Sequence, residues 1–289
     1  MNEAEFIAAL RRLPLHEGAR GLADDAAVLE IGGKTLVLTH DVLVEGRHYL
    51  PQQDIADVAW KLVATNLSDL AAKGAEPIGV LLGHTLGDDD EAFIAGLDDV
   101  LSHYGVPLLG GDTVAGNGRR TLGLTAIGRA SHTPVPSRSG ARIGDAVFVT
   151  GQLGAAMLGF EALRASTDRD TTAYTRPMAR VMEGQDLAPL VHAMMDVSDG
   201  LLLDAFRMAE ASDLSLAIES GLVPVADADR RDDCLRWGDD YELLFTLPEG
   251  TFPPVSATRI GSAEPRGFAP LFLDGEPLVN ADGLGYLHQ

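Results

Sequence analysis

The 289-residue sequence holds one cysteine, Cys234. A single thiol excludes an intrachain disulfide and any cysteine-rich metal site, and it fits a reducing compartment. Basic residues are scarce: 22 Lys and Arg stand against 43 Asp and Glu, a formal net charge of −21. Such a surface repels phosphate backbones, so nucleic acid is not an expected partner. No apolar run is long enough to cross a bilayer, and the amphipathic start with Glu3, Glu5, Arg11 and Arg12 is not a secretory signal. These absences together predict a cytoplasmic protein without a membrane partner. A phosphate loop is missing as well. Gly33-Lys34-Thr35 imitates the end of one, but Val28 stands where its first glycine belongs. There is no Ser-His-Asp set, no catalytic cysteine and no kinase-type glycine loop.

What is present suffices for a packed core: 46% hydrophobic residues against 22% charged, over a length suited to two ordinary domains or one large one. Apolar residues at Ile55, Val58, Ala59, Leu62, Val63, Leu67 and Leu70 follow a helical rhythm, with Asp54 as N-cap and Gly74 and Pro77 as stop signals. At about 100° per residue, Asn66, Asp69 and Lys73 fall on one stripe beside that apolar face. An acid there needs water, a cation or a metal. Before this helix the sequence predicts a helix over Glu3 to Leu13, then a hairpin of Ala26 to Leu29 and Thr35 to Thr39 joined at Gly32-Gly33. After it come a strand (Ile78 to His84) and a helix with core face Ile94, Leu97, Leu101 and Tyr104, its start capped by Asp88 to Glu91. A strand from Val106 to Leu109 runs into Gly110-Gly111-Asp112-Thr113, and another spans Thr121 to Gly128.

Residues 130–145 lack periodicity and mark a domain boundary. Beyond it the pattern restarts: a strand from Ala146 to Thr150, helices over Leu153 to Leu163 and Met178 to Val191, and a short strand at Met194-Met195. Asp196-Val197-Ser198-Asp199-Gly200 leads into a helix from Leu201 to Ala211, and strands follow at Leu214 to Ile218 and Tyr241 to Leu247. Mixed strands and helices in both halves predict an α/β or α+β layer fold, divided as 1–135 and 136–289.

Five segments share one design, with aspartate beside glycine or at the end of an apolar strand: Asp24-Asp25, Asp41, Asp69 on its helix, Asp112, and Asp196 with Asp199. Taken singly, each is a turn former or a cap. If they converge, several carboxylates face one another and cannot all stay ionised without cations. Oxygen-seeking Mg²⁺, Ca²⁺ or Mn²⁺ suits such a set, and Mg²⁺ shares its shell with substrate phosphates. An acidic protein can hold a nucleoside triphosphate in that way.

These motifs, with Asn66-Leu67-Ser68-Asp69-Leu70-Ala71-Ala72, Arg138-Ser139-Gly140-Ala141, Val149-Thr150-Gly151 and Asp239-Asp240-Tyr241-Glu242-Leu243-Leu244, resemble the thiamine-monophosphate kinase family. That family belongs to the superfamily of aminoimidazole ribonucleotide synthetase and selenophosphate synthetase, and the matching segments span nearly the whole chain in the family's order. The resemblance implies a two-domain PurM-like fold and a homodimer built on the N-terminal domains. It implies phosphoryl transfer from ATP to thiamine monophosphate, assisted by several Mg²⁺ ions. By position it implies Asp25, Thr39, His40, Asp41, Asp69, Asp112, Asp196 and Asp199 as metal ligands, with Asp41, Asp69 and Asp112 carrying catalysis. Gly111, Asp112, Arg138 and Ser198 would meet ATP, and His48, Asp239 and Tyr286 the thiamine substrate. His40 stands where the family has Ser or Thr, Asp239 where it has Glu, and the tail from Gly285 to Gln289 matches loosely. Trp237 is either a stacking platform or a core residue. The alternatives are a related ATP-using enzyme such as aminoimidazole ribonucleotide synthetase, or a non-catalytic acidic metal-binding protein. Selenophosphate synthetase would require an N-terminal cysteine that the chain lacks.

Overall fold

A computed structural model describes residues 3–116 and 118–287. Two sheets carry the architecture. The first is built from β1 (Ala27–Ile31), β2 (Lys34–Val44), β3 (Ala75–Thr85), β4 (Leu108–Val114) and β5 (Thr121–Ala130), in the order β1-β2-β5-β3-β4. Helix α1 (Glu3–Leu10) precedes it, while α2 (Ile55–Ala72) and α3 (Asp90–Tyr104) belong to it. The second sheet has seven strands: β6 (Ala146–Thr150), β7 (Ala193–Asp196), β8 (Ser215–Ile218), β9 (Leu243–Leu247), β10 (Ala257–Glu264), β11 (Leu271–Leu273) and β12 (Glu276–Leu278), ordered β12-β11-β8-β10-β6-β9-β7. Its helices are α4 (Ala155–Ala165), α5 (Thr172–Thr175), α6 (Val181–Leu187), α7 (Leu201–Ala211) and α8 (Arg231–Arg236). Among the described residues no helix is long and apolar enough to cross a membrane.

Helix α2 is the joint between the halves. Asp54 caps it by accepting from the Ala56 amide at 2.9 Å, and Gly74, at φ 58°, lets the chain turn away beyond its end. Fifteen of its 18 residues are buried, because the first sheet covers one side and elements of the second half the other. One apolar cluster accordingly runs from Val37 and Leu124 through Leu62, Leu67 and Leu70 to Met194 and Phe245. The Trp60 indole seals the joint by donating to the Pro177 carbonyl at 2.9 Å.

The first sheet has two unlike faces. Along β2, Val37, Thr39, Asp41 and Leu43 point toward α2, whereas His40 and Val42 point away. The outward face is apolar and open: Val42 and Leu81 are about 40% exposed, and β4 is exposed along its whole length.

Several expectations need correction. The buried face of α3 is Phe93, Gly96, Leu97 and Val100, with Ile94 63% exposed. A Cβ on Gly96 would lie 2.3 Å from the Ala56 carbonyl oxygen, so the glycine draws α3 against α2 and rotates the helix by one position. Asp89 makes no side-chain cap bond; it and Asp90 pair with Arg120 instead. Strand β2 continues through His40 and Asp41 instead of ending there. Gly110 to Thr113 lies within β4, where the missing Cβ of Gly111 avoids a 1.9 Å clash with the Leu82 carbonyl oxygen. The helix expected from Met178 to Val191 shrinks to α6, and β10 to β12 had no counterpart in the pattern.

Candidate active site

A cavity of about 800 Å³ lies between the two halves. Asp41, Asp69, Asp196 and Asp199 line it beside Phe160, Tyr174, Trp237, Asp239 and Tyr286. A second hollow of about 310 Å³, lined by Asp24, Asp25 and Thr39, shares His40, Asp41 and Asp69 with the first. The acids therefore form the wall between two adjoining chambers.

Local structure places each acid. Asp41 sits on the inward face of β2, its amide bonded to Asn66 Oδ1 at 3.1 Å. One turn further along α2, Asp69 accepts from the Thr39 hydroxyl. Asp196 ends β7 and accepts from Ser68 at 2.6 Å. Burial raises the pKa of all three, and their mutual repulsion adds to it: Asp41 and Asp196 on Asp69, Asp199 and Asp25 on Asp41. Asp196 is pushed up to about 8 by burial and then by Asp25. Among the described residues none of the three has a lysine or arginine within ion-pair distance. The turn after β7 is fixed by Asp204 of α7, a buried carboxylate raised to about 7 chiefly by burial, which accepts the Ser198 and Asp199 amides at 3.1 and 3.0 Å. Asp199 itself is paired with Arg207 at 2.5 Å.

Asp24 and Asp25 have the opposite surroundings. Burial would raise them too, but Lys73 and Arg20 hold Asp24 well below the usual carboxylate range, and Lys73 and Arg138 lower Asp25. Lys73, placed by the helical period on the stripe with Asn66 and Asp69, is fully buried between the two acids.

The aromatic chamber has an order of its own. Lys61 of α2 is 1% exposed; it donates to Asp239 Oδ2 at 2.8 Å and lies 3.9 Å above the Tyr174 ring. The Tyr241 hydroxyl donates to the other Asp239 oxygen at 2.8 Å. Phe160 packs against both Tyr174 and Trp237, with centroids 5.2 and 5.3 Å apart. Trp237 thus lines the cavity and belongs to the cluster of tilted rings at once. His48 accepts from the Val44 amide at 3.0 Å within the turn that follows β2, and Tyr286 is anchored by its amide to the Asp199 carbonyl at 2.9 Å. His288 and Gln289 of the tail lie outside the described residues. Lys61 was not foreseen as a site residue: at about 100° per residue it falls on the side of α2 away from the apolar stripe, and it is buried only because Tyr174 and Asp239 of the second half cover that side.

The structure therefore brings together Asp25, Thr39, Asp41, Asp69, Asp196, Ser198 and Asp199, with Arg138 behind Asp25, and His48, Asp239 and Tyr286 nearby. It does not bring in Asp112 or Gly111. Asp112 pairs in register with Gly83, which pairs with Gly123, so it shares the outward face with Val42. Three strand spacings separate β4 from β2, about 14 Å, and the sheet itself stands between Asp112 and Asp41. The His40 ring also points outward, bonded to Thr125 Oγ1 at 2.9 Å, so the imidazole does not reach the acids. Among the described residues no three His, Cys, Asp or Glu side chains are already arranged around one ion position. The donor chemistry at Asp41, Asp69 and Asp196 nonetheless suits a hard cation: buried carboxylates without a cationic partner, in a shell that substrate phosphates would complete.

The chain matches the AIR synthase related protein family, its N-terminal domain over residues 23–130 and its C-terminal domain over residues 142–253. It is 39% identical over 303 residues to the thiamine-monophosphate kinase of Escherichia coli (strain K12), covering 93% of this chain and 91% of that one. Among solved structures it superposes on AaThiL complexed with AMPPCP and TMP with a TM-score of 0.89 at 29% identity, over 100% of this chain and 97% of that one. The thiamine-monophosphate kinase of Stenotrophomonas maltophilia K279a gives a TM-score of 0.77 at 30% identity, over 95% and 96% of the two chains.

Proposed function

The chain belongs to the AIR synthase related family, and within it to the thiamine-monophosphate kinases, and from that premise we infer how its cleft works. It is a thiamine-phosphate kinase: it transfers the γ-phosphoryl group of ATP to thiamine monophosphate, giving thiamine diphosphate and ADP. The observation that carries this reading is the pairing of chambers, one acidic and one aromatic, with Asp41 and Asp69 in the wall between them. An acid cluster that ionises as cations bind suits a metal-bound triphosphate, and clustered aromatic rings with a carboxylate suit a flat heteroaromatic cation.

The acceptor is a phosphate oxygen, already ionised near neutral pH, so no general base is needed. The protein's task is alignment and charge neutralisation. Asp41, Asp69 and Asp196, with the Thr39 hydroxyl, are the residues we assign to hold Mg²⁺, which when bound offsets the charge on the transferring and leaving oxygens. Arg138 keeps a buried Nε without a partner while its Nη2 binds Asp25, which leaves it a donor for a nucleotide phosphate. The Ser198 turn, braced by Asp204, borders the same cavity and is assigned to the nucleotide. Trp237 and Phe160 provide the stacking wall for thiamine, and Asp239, oriented by Lys61 and Tyr241, accepts from its polar edge; His48 and Tyr286 close the ends.

We further propose a homodimer in which the open apolar faces of the two N-terminal sheets cover one another. This accounts for Val42, Leu81 and the fully exposed β4, and it would carry Asp112 and Gly111 toward the partner's nucleotide. The division into 1–135 and 136–289 agrees with one sheet lying on each side of it. The lone buried cysteine supports a cytoplasmic location.

The test is ADP release with ATP and Mg²⁺ in the presence of thiamine monophosphate, thiamine or an aminoimidazole precursor. Turnover with thiamine monophosphate alone is expected. Turnover with the aminoimidazole precursor, or no nucleotide-dependent heat in calorimetry, would overturn the assignment.

A further inference from the structure

Lys73 lies just beyond the end of α2, with its side chain fully buried. Its ammonium sits 2.6 Å from Asp25 Oδ2, bonds to Asp24 Oδ1, and reaches the Met194 carbonyl at 3.2 Å. A desolvated ammonium persists only where its charge is answered, and two carboxylates answer this one. The other oxygens of the pair are also taken. Arg138 binds Asp25 Oδ1, and Arg20 donates to Asp24 Oδ2 at 2.6 Å alongside the Ser137 hydroxyl at 2.7 Å. All four carboxylate oxygens in this corner therefore lie within ion-pair distance of a cation, Asp25 Oδ2 through charge alone and without a hydrogen bond. Thr39 and Ser68 give Asp69 and Asp196 hydroxyl hydrogen bonds only.

A divalent ion entering between Asp24 and Asp25 would have to displace Lys73 from a sealed site and sit beside Arg138 and Arg20 as well. We propose that Lys73 is a built-in cation occupying the place of a metal ion, so that Asp25 is not a metal ligand in this chain and divalent ions gather on Asp41, Asp69 and Asp196. This inference rests on the divalent-ion part of the phosphoryl-transfer reading, and it revises the expectation that Asp25 binds metal. A lysine serving only as a lock between the halves, through Met194, would leave the number of bound ions unchanged when removed.

The experiment counts bound Mn²⁺ by electron paramagnetic resonance on the full chain with a non-hydrolysable ATP analogue. Circular dichroism and thermal melting confirm that each variant is folded. Lys73→Met, of similar length and uncharged, is expected to bind one more Mn²⁺ per chain than wild type; an equal or lower count overturns the proposal. Asp25→Asn is expected to bind the wild-type number and Asp69→Asn at least one fewer. Loss of an ion in Asp25→Asn overturns the proposal even if Lys73→Met does not fold. A wild type that binds Mn²⁺ without phosphorylating thiamine monophosphate overturns the kinase reading and leaves the ion counts to decide on Lys73. A wild type that binds no Mn²⁺ overturns both.

Discussion

Asp24, Asp25, Asp41 and Asp69 line the small chamber, and Asp196 lines the larger one that shares Asp41 and Asp69 with it. The residue type is the same, yet the first pair is held below the ordinary carboxylate range while the other three are pushed above it. Burial acts alike on both groups. The difference comes from three basic side chains, Lys73, Arg138 and Arg20, all directed at one corner. The neutralised corner resembles a structural ion-pair network, whose loss destabilises. The unneutralised one stores repulsion that a ligand can relieve, as expected where function opposes stability.

The largest effect is expected at Asp69. Asp69→Asn should lower turnover by about a thousandfold, the scale of losing a group that organises transition-state charge, while leaving the thermal midpoint unchanged or higher because one repelling acid is gone. Steady-state kinetics with a thermal melt checks both halves, and near-normal turnover would remove Asp69 from the catalytic set. Asp24→Asn should do the reverse. Leaving Lys73 and Arg20 buried with an incomplete partner should cost about 3 kcal/mol in urea unfolding, and a loss within error would mean the corner is not the network described.

The pH dependence comes next in size and has opposite signs in the two corners. Asp196 keeps its proton in the fold up to about 8, against 3.8 as the ordinary value, so the folded state binds more protons than the unfolded one over that window. Without metal, stability should therefore fall as pH rises across it, and Asp41 and Asp69 add in the same direction. Asp24 and Asp25 contribute stability that is complete above their ordinary value of 3.8 and lost as pH falls through their lowered folded values. Melting curves across the range, with and without Mg²⁺ and an ATP analogue, test this. The ligand should flatten the alkaline-side decline, and a metal-free protein equally stable throughout would remove the contrast. The smallest effect is Ser68→Ala, which removes the hydroxyl bonded to Asp196. It should shift that carboxyl's titration, followed by NMR, still higher and change stability by about 1 kcal/mol.

Short-range features were legible in the residue pattern. Helix α2 was expected with its Asp54 cap and Gly74 stop, and α7 over Leu201–Ala211, because capping and a 3.6-residue apolar period act within a few positions. Aspartates beside glycine pointed to a ligand site, and four of the five segments do converge. The α3 face was misplaced because a glycine contact with α2, not its own periodicity, sets its rotation. The stripe of Asp69 and Lys73 on α2 was legible, but not which partner each would meet, because the second half of the chain covers what a lone amphipathic helix would leave wet.

Composition and local pattern alone determined that this would be an acidic, layered α/β protein with aspartates at its strand ends and turns. Charge totals, helical periods and turn residues are properties of neighbours along the chain. Only the tertiary structure decided which aspartates meet cations and which meet one another. Asp24 faces Lys73 across 49 positions of sequence, and the register of β3 with β4 turns Asp112 to the far face of the sheet. Strand register and the packing of α2 between two sheets are long-range outcomes, and a one-residue change in either would give the same sequence a different site.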